Sequence, residues 1–590
     1  MQKIAYIRKY YSIGLFSLIM IACILLGCLP ALQIVLERNL IDVAIQGASS
    51  GGLQTFTRGL IQFIVLLFIN LLLKSLLQFA TERHNLLVAK KLDTQRVEKC
   101  KRISFPIMET QNFHQLNEKS EKAGEANSTL FASLQSGLKC TIQVVTSFVV
   151  LFYFDARTAL VAFVLLIPGV LLNKKASRDS VSFWGEYIQN MRHANYLSSL
   201  LLHREYATER KIFNYNAELE AQYSSDCSTA IQKNSKLGQA RFFSKLFSTI
   251  FSAVYTVIAI LLLIPPVKIG SLSIGSFLAA FTAIATLRST ANQLCASIFD
   301  VGNNFEKLKG FFSLMELEEE VVSLPEQSNE KLDLSKGIEF QQVSFKYPNA
   351  QDVVLENVSF ILNIGMHYAL VGENGCGKTT LVKLLVGLYK PTSGRILFGS
   401  KELSKLSQEE KRQLFSVIFQ DLYRYPLSVR ENVSLGSDKM QNTDAIQEAL
   451  KALQFDGTDQ DETELDETKL DASLGLLKQD SVDLSGGQWQ KLAVARSMLS
   501  PAPIVILDEP NAALDPMSEL AFYRVYEKNF AQKTTLFISH RLGAVKTADK
   551  ILVIKDKHLI AMDSHDELMN NCTYYKQLYE TQRGLYYETK

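Results

Sequence analysis

The sequence predicts two fold classes in one chain: an all-α transmembrane domain of six helices, then an α/β P-loop nucleotide-binding domain with a helical subdomain. Long uncharged apolar runs crowd roughly the first 300 of the 590 residues. A strand, a glycine-rich turn and a helix follow one another around residues 368–385. The chain also exceeds the usual size of one domain. We therefore predict a membrane domain over 1–315, a linker over 316–336 and the nucleotide-binding domain over 337–590.

Six apolar runs are candidates for membrane-spanning helices, which need about 20 residues each. They cover Ile13–Leu36, Leu60–Ala80, Leu138–Phe154, Thr158–Leu172, Phe243–Ile264 and Ile274–Phe299. The first is too long for a signal-peptide core, so we predict that it is retained. Lys and Arg concentrate between runs two and three and between runs four and five. Since cytoplasmic loops carry this excess, we predict a multi-pass cell-membrane protein with both termini and the nucleotide-binding domain in the cytoplasm.

The two basic connections are long and keep a helical pattern, which predicts that the spans continue as helices into the cytoplasm. The segments Ile103–Ile107, with Phe113, and Leu202–Phe213 are the predicted turning points. Short helices there would dock on the nucleotide-binding domain; ordinary amphipathic loops are the alternative.

Two basic residues lie inside predicted spans, Lys74 in the second and Arg288 in the sixth. Charge in hydrocarbon is costly, so such residues usually face a protein or water-filled interior. We predict that they line a cargo cavity suited to an acidic group. For Lys74 the alternative is a side chain that reaches the membrane surface.

Composition gives no support for nucleic-acid binding, for a disulfide frame or for a cysteine metal site. Lys and Arg (62) nearly balance Asp and Glu (60), so no global charge favours nucleic-acid binding. The eight cysteines form no C-x-x-C pair, and we interpret them as core residues or free thiols rather than as a disulfide frame or a metal site.

The glycine-rich turn carries the clearest chemistry of the chain. Glycines let backbone N–H groups curl around phosphate oxygens, and the following helix adds the positive end of its dipole. Lys378 is predicted to reach the β- and γ-phosphates of a nucleotide, and Thr379 to ligate Mg²⁺. A chance glycine turn would lack the full pattern in this strand-to-helix setting. The predicted nucleotide-binding residues are Gly372, Glu373, Asn374, Gly375, Cys376, Gly377, Lys378, Thr379 and Thr380.

Five further sequence features, one before this loop and four after it, are candidates for nucleotide binding or hydrolysis. Tyr347 is placed to stack on a base, and Gln420 ends a strand where its amide would reach Mg²⁺ and the attacking water. A second phosphate-binding surface is predicted at a helix N-terminus, formed by Ser485, Gly486, Gly487 and Gln488. A buried strand ends in Asp508, a Mg²⁺ ligand, and Glu509, the general base that polarises water. His540 ends another strand as a γ-phosphate sensor. Alone, an Asp or His at a strand end is more often structural.

Across the whole chain this order resembles an ATP-binding cassette (ABC) transporter of the exporter type, with the membrane domain fused ahead of the cassette. The stretch Leu484–Gln488 matches the family's signature sequence, Gln420 its Q-loop and His540 its switch histidine. Residues Ala512–Asp515 resemble its D-loop, with Ala512 where Ser is usual. The resemblance implies that two cassettes sandwich two ATP molecules. Each chain holds one phosphate loop and one signature, so a homodimer is expected and a heterodimer is the alternative.

One segment departs from the family pattern, and another is predicted to be a loop. Exporters often carry Gly-Glu-x-Gly before the signature, where this chain has Lys478–Ser481, with Gln479 at the Glu position. That element is thought to touch the docking helices of the membrane domain. The acidic segment Asp456–Asp471 is predicted to be a solvated loop.

The cargo is predicted from resemblance in the cassette. The stretches Arg424–Asn432 and Trp489–Lys491 are similar to those of bacterial exporters of peptides such as lantibiotics. We therefore predict ATP-driven export of a peptide or modified peptide by alternating access. The alternatives are a multidrug or lipid exporter, an exporter-fold siderophore importer and a membrane-anchored ATPase without transport. Only about a dozen residues precede the first span, so we expect no peptidase domain that cleaves a leader peptide.

Overall fold

A computed structural model of the chain describes residues 10–46, 52–203, 206–270, 272–320, 336–348, 350–437, 441–455, 467–475, 481–510, 522, 526, 528–539 and 545–587. It divides the chain into two compact units. The first comprises residues 1–103 and 110–318, and the second comprises 104–109 and 319–590. The predicted linker over 316–336 lies largely outside the described residues.

The described part of the first unit is helical. Its helices are α1 (Ile13–Gln46), α2 (Gly52–Arg102), α4 (Gln111–Glu121), α5 (Ala123–Phe154), α6 (Ala156–Leu202), α7 (Ala207–Phe213), α8 (Asn216–Lys268) and α9 (Ile274–Glu316). The long helices pair mainly as α1 with α2, α5 with α9 and α6 with α8. The short helix α3 (Phe105–Met108) lies between α2 and α4 in the chain and belongs to the second unit.

The long helices extend well beyond the predicted spans. Helix α2 contains 51 residues, and at 1.5 Å per residue it is roughly 75 Å long, more than twice the ~30 Å of bilayer hydrocarbon. The predicted fifth span ends at Ile264, but α8 continues through Pro265 and Pro266 to Lys268. The two predicted turning points coincide with the short helices α3 and α7, which lie between long helices in the chain, and α7 exposes Ile212 and Phe213.

Within the described residues, five helices are long and apolar enough to cross a membrane. They correspond to predicted spans one, two, three, five and six. The predicted fourth span, Thr158–Leu172, coincides with the start of α6, where a shorter apolar stretch covers Ala156–Pro168.

The second unit contains two sheets. A four-stranded antiparallel sheet has the order β2 (Leu355–Leu362), β1 (Ile338–Phe345), β4 (Ser393–Phe398) and β5 (Lys401–Glu402). A six-stranded sheet has the order β10 (His558–Asp563), β9 (Lys550–Lys555), β3 (His367–Val371), β8 (Thr534–Ile538), β7 (Ile504–Asp508) and β6 (Phe415–Ile418). All neighbours in this sheet pair in parallel except the edge strand β10, which is antiparallel to β9.

Helices complete the second unit around these sheets. They are α10 (Lys378–Leu385), α11 (Gln408–Leu414), α12 (Val429–Ser434), α13 (Thr443–Ala452), α14 (Glu467–Leu470), α15 (Gly486–Leu499), α16 (His565–Asn571) and α17 (Thr573–Tyr587). One core joins both sheets to α10, and another joins α12, α13 and α15 to β7. Strands β3, β7 and β8 are almost entirely buried, which agrees with their mostly apolar sequences. Their carboxyl ends meet at one edge, where ligands of such sheets bind.

The prediction of a solvated loop is wrong for the C-terminal end of the acidic segment. The acidic segment 456–471 was predicted to be a solvated loop, but Glu467–Leu470 form α14, and Leu470 is fully buried in the helical core. Arg430 also donates to the carboxylate of Asp471 at 2.7 Å. Leu470 and this ion pair fix the end of the segment; residues 456–466 lie outside the described part of the chain.

Candidate functional site

The glycine-rich turn lies between the buried strand β3 and helix α10, which begins at Lys378 as predicted. Gly375 and Gly377 adopt φ values of +80° and +103°, a region that favours glycine. A Cβ on Gly377 would lie 2.8 Å from Cδ2 of Leu355, so the loop also needs glycine there for space. The sequence therefore builds a tight turn of backbone N–H groups at a helix N-terminus, which is the geometry of a phosphate cradle.

Lys378 lies over this loop and is almost fully buried. Its Nζ donates hydrogen bonds to the carbonyl oxygens of Gly372 and Glu373, each at 2.9 Å. The ammonium group is thus held inside the turn by the loop's own backbone. A phosphate bound in the loop would meet this positive charge at close range.

The carboxylate of Asp508 ends β7 beside the loop. Its side chain is 1% exposed and accepts a hydrogen bond from Thr379 Oγ1 at 3.2 Å. Burial raises the pKa of Asp508 from 3.8 to about 6, against the opposing effect of the Thr379 hydrogen bond, and nearby Glu509 adds to the rise. A carboxylate and a hydroxyl are the hard oxygen donors that Mg²⁺ prefers, and a dication would relieve the cost of keeping Asp508 ionised.

Glu509 follows directly and has a left-handed backbone, with φ of +50°. Its N–H donates to the carbonyl of Ile538 on β8 at 3.0 Å, which anchors this conformation. Gln420 Nε2 donates to Glu509 Oε2 at 3.0 Å, and Gln490 Nε2 donates to the Glu509 carbonyl at 3.4 Å. A non-glycine residue held in this region costs about 1–3 kcal/mol, and such strain is concentrated at functional sites. The structure thus brings together the predicted base and the predicted Q-loop glutamine.

Tyr347 is half-buried just beyond β1. Its hydroxyl forms a hydrogen bond with Thr380 Oγ1 at 3.0 Å, which joins it to the helix that follows the phosphate loop. Its ring is nearly perpendicular to those of Phe345 and Tyr389, at centroid distances of 4.9 and 5.2 Å. The predicted base-stacking aromatic therefore stands next to the phosphate loop, held by other aromatic rings.

The predicted signature forms the N-terminus of α15. Ser485 is its N-cap, with Oγ accepting from Gln488 N at 3.3 Å while Ser485 N donates to Gln488 Oε1 at 2.8 Å. Gly486 and Gly487 occupy the first turn, where backbone N–H groups have no partner within the helix. Gln488 thus serves the helix cap, and the turn presents the positive end of the helix dipole.

Several predicted residues lie outside the described part of the chain. They are His540, the D-loop segment 512–515 and the departure segment 478–480 with Gln479. Their proposed roles rest on the sequence.

The two predicted cavity residues differ in the structure. Arg288 on α9 is half-buried and donates from Nη1 to Thr256 Oγ1 on α8 at 2.9 Å, so it joins two predicted spans. Lys74 is exposed on α2.

Sequence reasoning missed three residues around Tyr347, namely Glu109, Lys383 and Tyr389. Lys383 Nζ lies 3.0 Å from Glu109 Oε1, and Tyr389 donates its hydroxyl to Glu109 Oε2. Glu109 lies 274 and 280 positions from these partners, and no local pattern marks such a contact.

Comparisons with known proteins give a consistent result. A family model described as ABC transporter matches residues 355–512. The subtilin transport ATP-binding protein SpaT of Bacillus subtilis is 26% identical, over 95% of this chain and 90% of that protein. The nisin transport ATP-binding protein NisT of Lactococcus lactis is 30% identical, over 73% of this chain and 72% of that protein.

Two further comparisons concern a lipid transporter and the fold. The ATP-dependent lipid A-core flippase of Alcanivorax borkumensis is 33% identical, over 52% of this chain and 51% of that protein. A bacterial Atm1-family ABC exporter, solved with ATP bound, aligns with a TM-score of 0.80 and 20% identity, over 98% of this chain and 99% of that chain. At that identity the likeness shows a shared fold.

Proposed function

Because the chain belongs to the ABC transporter family, we propose that it exports a peptide or modified peptide across a membrane by alternating access. It is a membrane protein with apolar helices long enough to span a bilayer, and it binds and hydrolyses ATP. The predicted domain boundaries, 1–315 and 337–590, are part of the proposal. ATP binding would close two cassettes, and hydrolysis would reset them.

One observation carries the choice of cargo. The relative named for subtilin transport matches 95% of this chain, whereas the lipid A-core flippase above matches 52%. Subtilin and nisin are lantibiotics, that is, modified peptides. A relation that extends over nearly the whole chain includes the membrane helices, where cargo must be bound, so it favours a peptide.

The chemistry of ATP hydrolysis is assigned to the residues at the edge of the six-stranded sheet. Glu509 is proposed as the general base that takes a proton from water, and Gln420, hydrogen-bonded to it, orients that water. Lys378 and the loop N–H groups bind the β- and γ-phosphates, and Tyr347 stacks on the base. Thr379, Asp508 and Gln420 would hold Mg²⁺, which neutralises phosphate charge when bound. His540 is proposed to sense the γ-phosphate.

A second copy of the chain is the proposed partner. Each ATP would lie between the phosphate loop of one chain and the Ser485–Gln488 turn of the other, whose N–H groups suit a phosphate. One chain supplies one of each element, so a homodimer completes both sites. The basic connections favour a cytoplasmic ATP domain. The similarity to transport proteins of Bacillus subtilis and Lactococcus lactis favours a bacterial plasma membrane.

A lipid is the second candidate cargo, because flippase relatives are 33% identical over half of the chain. Inside-out membrane vesicles containing the full chain, supplied with labelled peptides, drugs and lipids in parallel, test both. We expect ATP-dependent peptide accumulation, absent with Glu509→Gln. Accumulation of lipid or drug alone would replace the peptide proposal. Uptake only into right-side-out vesicles with internal ATP would indicate import. ATPase activity that no cargo changes would indicate a membrane-anchored ATPase.

A further inference from the structure

The short segment that joins α2 to α4 is built into the ATP-binding unit. Residues 104–109, which include α3, group with that unit rather than with the helical one. Phe105 packs against the core beneath α10, with its ring 5.7 Å from that of Tyr389 and perpendicular to it. A chain segment that directly follows a membrane helix is thus anchored beside the nucleotide site.

Glu109 provides the polar half of this anchor. It accepts hydrogen bonds from Lys383 Nζ, at 3.0 Å, and from the hydroxyl of Tyr389. Burial alone would raise the pKa of Glu109, but the hydrogen bonds from Tyr389 and Lys383 hold it below its usual value. The carboxylate therefore stays ionised and fixes two side chains of the ATP-binding unit at once.

The same two side chains contact Tyr347. The Tyr389 ring, 5% exposed, stands perpendicular to the Tyr347 ring at 5.2 Å. The Lys383 ammonium lies 5.9 Å from the Tyr347 ring centroid and 5.5 Å from that of Phe105. Since Thr380 forms a hydrogen bond with the hydroxyl of Tyr347, the orientation of that ring is set by Thr380 at one end and by Tyr389 and Lys383 beside the ring.

We propose that Tyr389 and Glu109 are positioning residues for Tyr347, so that affinity for the base of ATP depends on the segment 104–109. The proposal rests on the proposed base-stacking role of Tyr347. It does not depend on which cargo is carried. Because coupling between sites is reciprocal, adenine nucleotide would also strengthen the attachment of this segment.

A purely structural role for the cluster makes a different prediction. If Tyr389 and Glu109 only hold the unit together, their loss would weaken every ligand of the phosphate loop alike. If they position Tyr347, only ligands that carry a base are affected. Inorganic triphosphate occupies the phosphate loop without a base and is therefore the discriminating probe.

The experiment uses the full chain in lipid nanodiscs, without cargo. Dissociation constants for AMP-PNP and for inorganic triphosphate are measured by displacement of a fluorescent ATP analogue. We expect Tyr389→Leu to raise the AMP-PNP constant about 2- to 12-fold, the value of an aromatic pair. Glu109→Gln should raise it up to about 5-fold, since its ion pair is partly exposed. Neither should change the triphosphate constant, and Tyr347→Ala should show the same selectivity.

Two control variants separate positioning from loss of stability. Phe398→Leu truncates a fully buried aromatic side chain of the same core, and Glu402→Gln removes a partly exposed carboxylate paired with Lys405. Both should leave the ratio of the two dissociation constants unchanged. The proposal is overturned if Tyr389→Leu weakens both ligands equally, if it matches Phe398→Leu, or if Tyr347→Ala leaves AMP-PNP binding unchanged. No transport measurement enters, so failure here is distinct from failure of the export proposal.

Discussion

Replacing Glu509 by glutamine tests the proposed chemistry most directly. The substitution keeps the size of the side chain and the backbone bond to Ile538. It also keeps an oxygen that can accept from Gln420 Nε2, now 3.0 Å from the Glu509 carboxylate. What it removes is the basic oxygen that would take a proton from water.

The expected loss can be worked out from that difference. A positioned general base contributes about 10²- to 10⁴-fold to a rate. At 1.36 kcal/mol for each factor of ten, the barrier to hydrolysis rises by about 3–5 kcal/mol. ATP binding should persist, because Lys378 and the loop glycines are unchanged and lie in the turn and helix that follow β3, whereas Glu509 follows β7.

Steady-state ATPase activity at saturating ATP, together with equilibrium nucleotide binding, checks this prediction in nanodiscs. Glu356→Gln is a matched control, because its carboxylate is 57% exposed and lies beside His558 rather than the loop. ATPase activity of the Glu509→Gln variant within about 3-fold of wild type would refute the assignment of the base. Loss of nucleotide binding would show instead that the carboxylate has a structural role.

Three further predictions concern the site and the spans. In nucleotide-free protein, the raised pKa of Asp508 means that the free energy of unfolding falls as pH rises from about 4 to about 6. Asp508→Asn should remove this dependence and raise the free energy of unfolding by up to roughly 3 kcal/mol at neutral pH. Thermal unfolding from pH 4 to 8 measures this, and a pH profile unchanged by the substitution would contradict it. Gly377→Ala should abolish ATP binding because its Cβ would meet Leu355, whereas Gly436→Ala, with a similar φ but open space, should retain it; equal binding would remove the steric argument. Arg288→Ala should lower peptide uptake into vesicles more than Arg288→Lys, and wild-type uptake at normal expression would exclude Arg288 from cargo binding.

Much of the candidate site could be predicted because its functional residues lie in short, contiguous sequence motifs. The turn before Lys378 and the cap at Ser485 are local patterns: α10 begins at Lys378, and Ser485 is the N-cap of α15. The apolar residues of the strand that ends in Asp508 predict that this strand is buried. Side chains that meet across the fold carry no such signal. This is why Glu109, which contacts residues in α10 and beyond, was not expected to reach the nucleotide site.

The left-handed backbone at Glu509 explains how two adjacent acids can serve one site. In an extended strand, consecutive side chains point to opposite faces of the sheet. Asp508 ends β7 in the buried position and meets Thr379, and a further extended residue would direct its carboxylate away from that position. The turn at φ of +50° instead leaves Glu509 next to Gln420 and close enough to raise the pKa of Asp508. The strained backbone at Glu509 is held by the hydrogen bond to Ile538. It thus places a buried cation ligand and a more exposed base side by side.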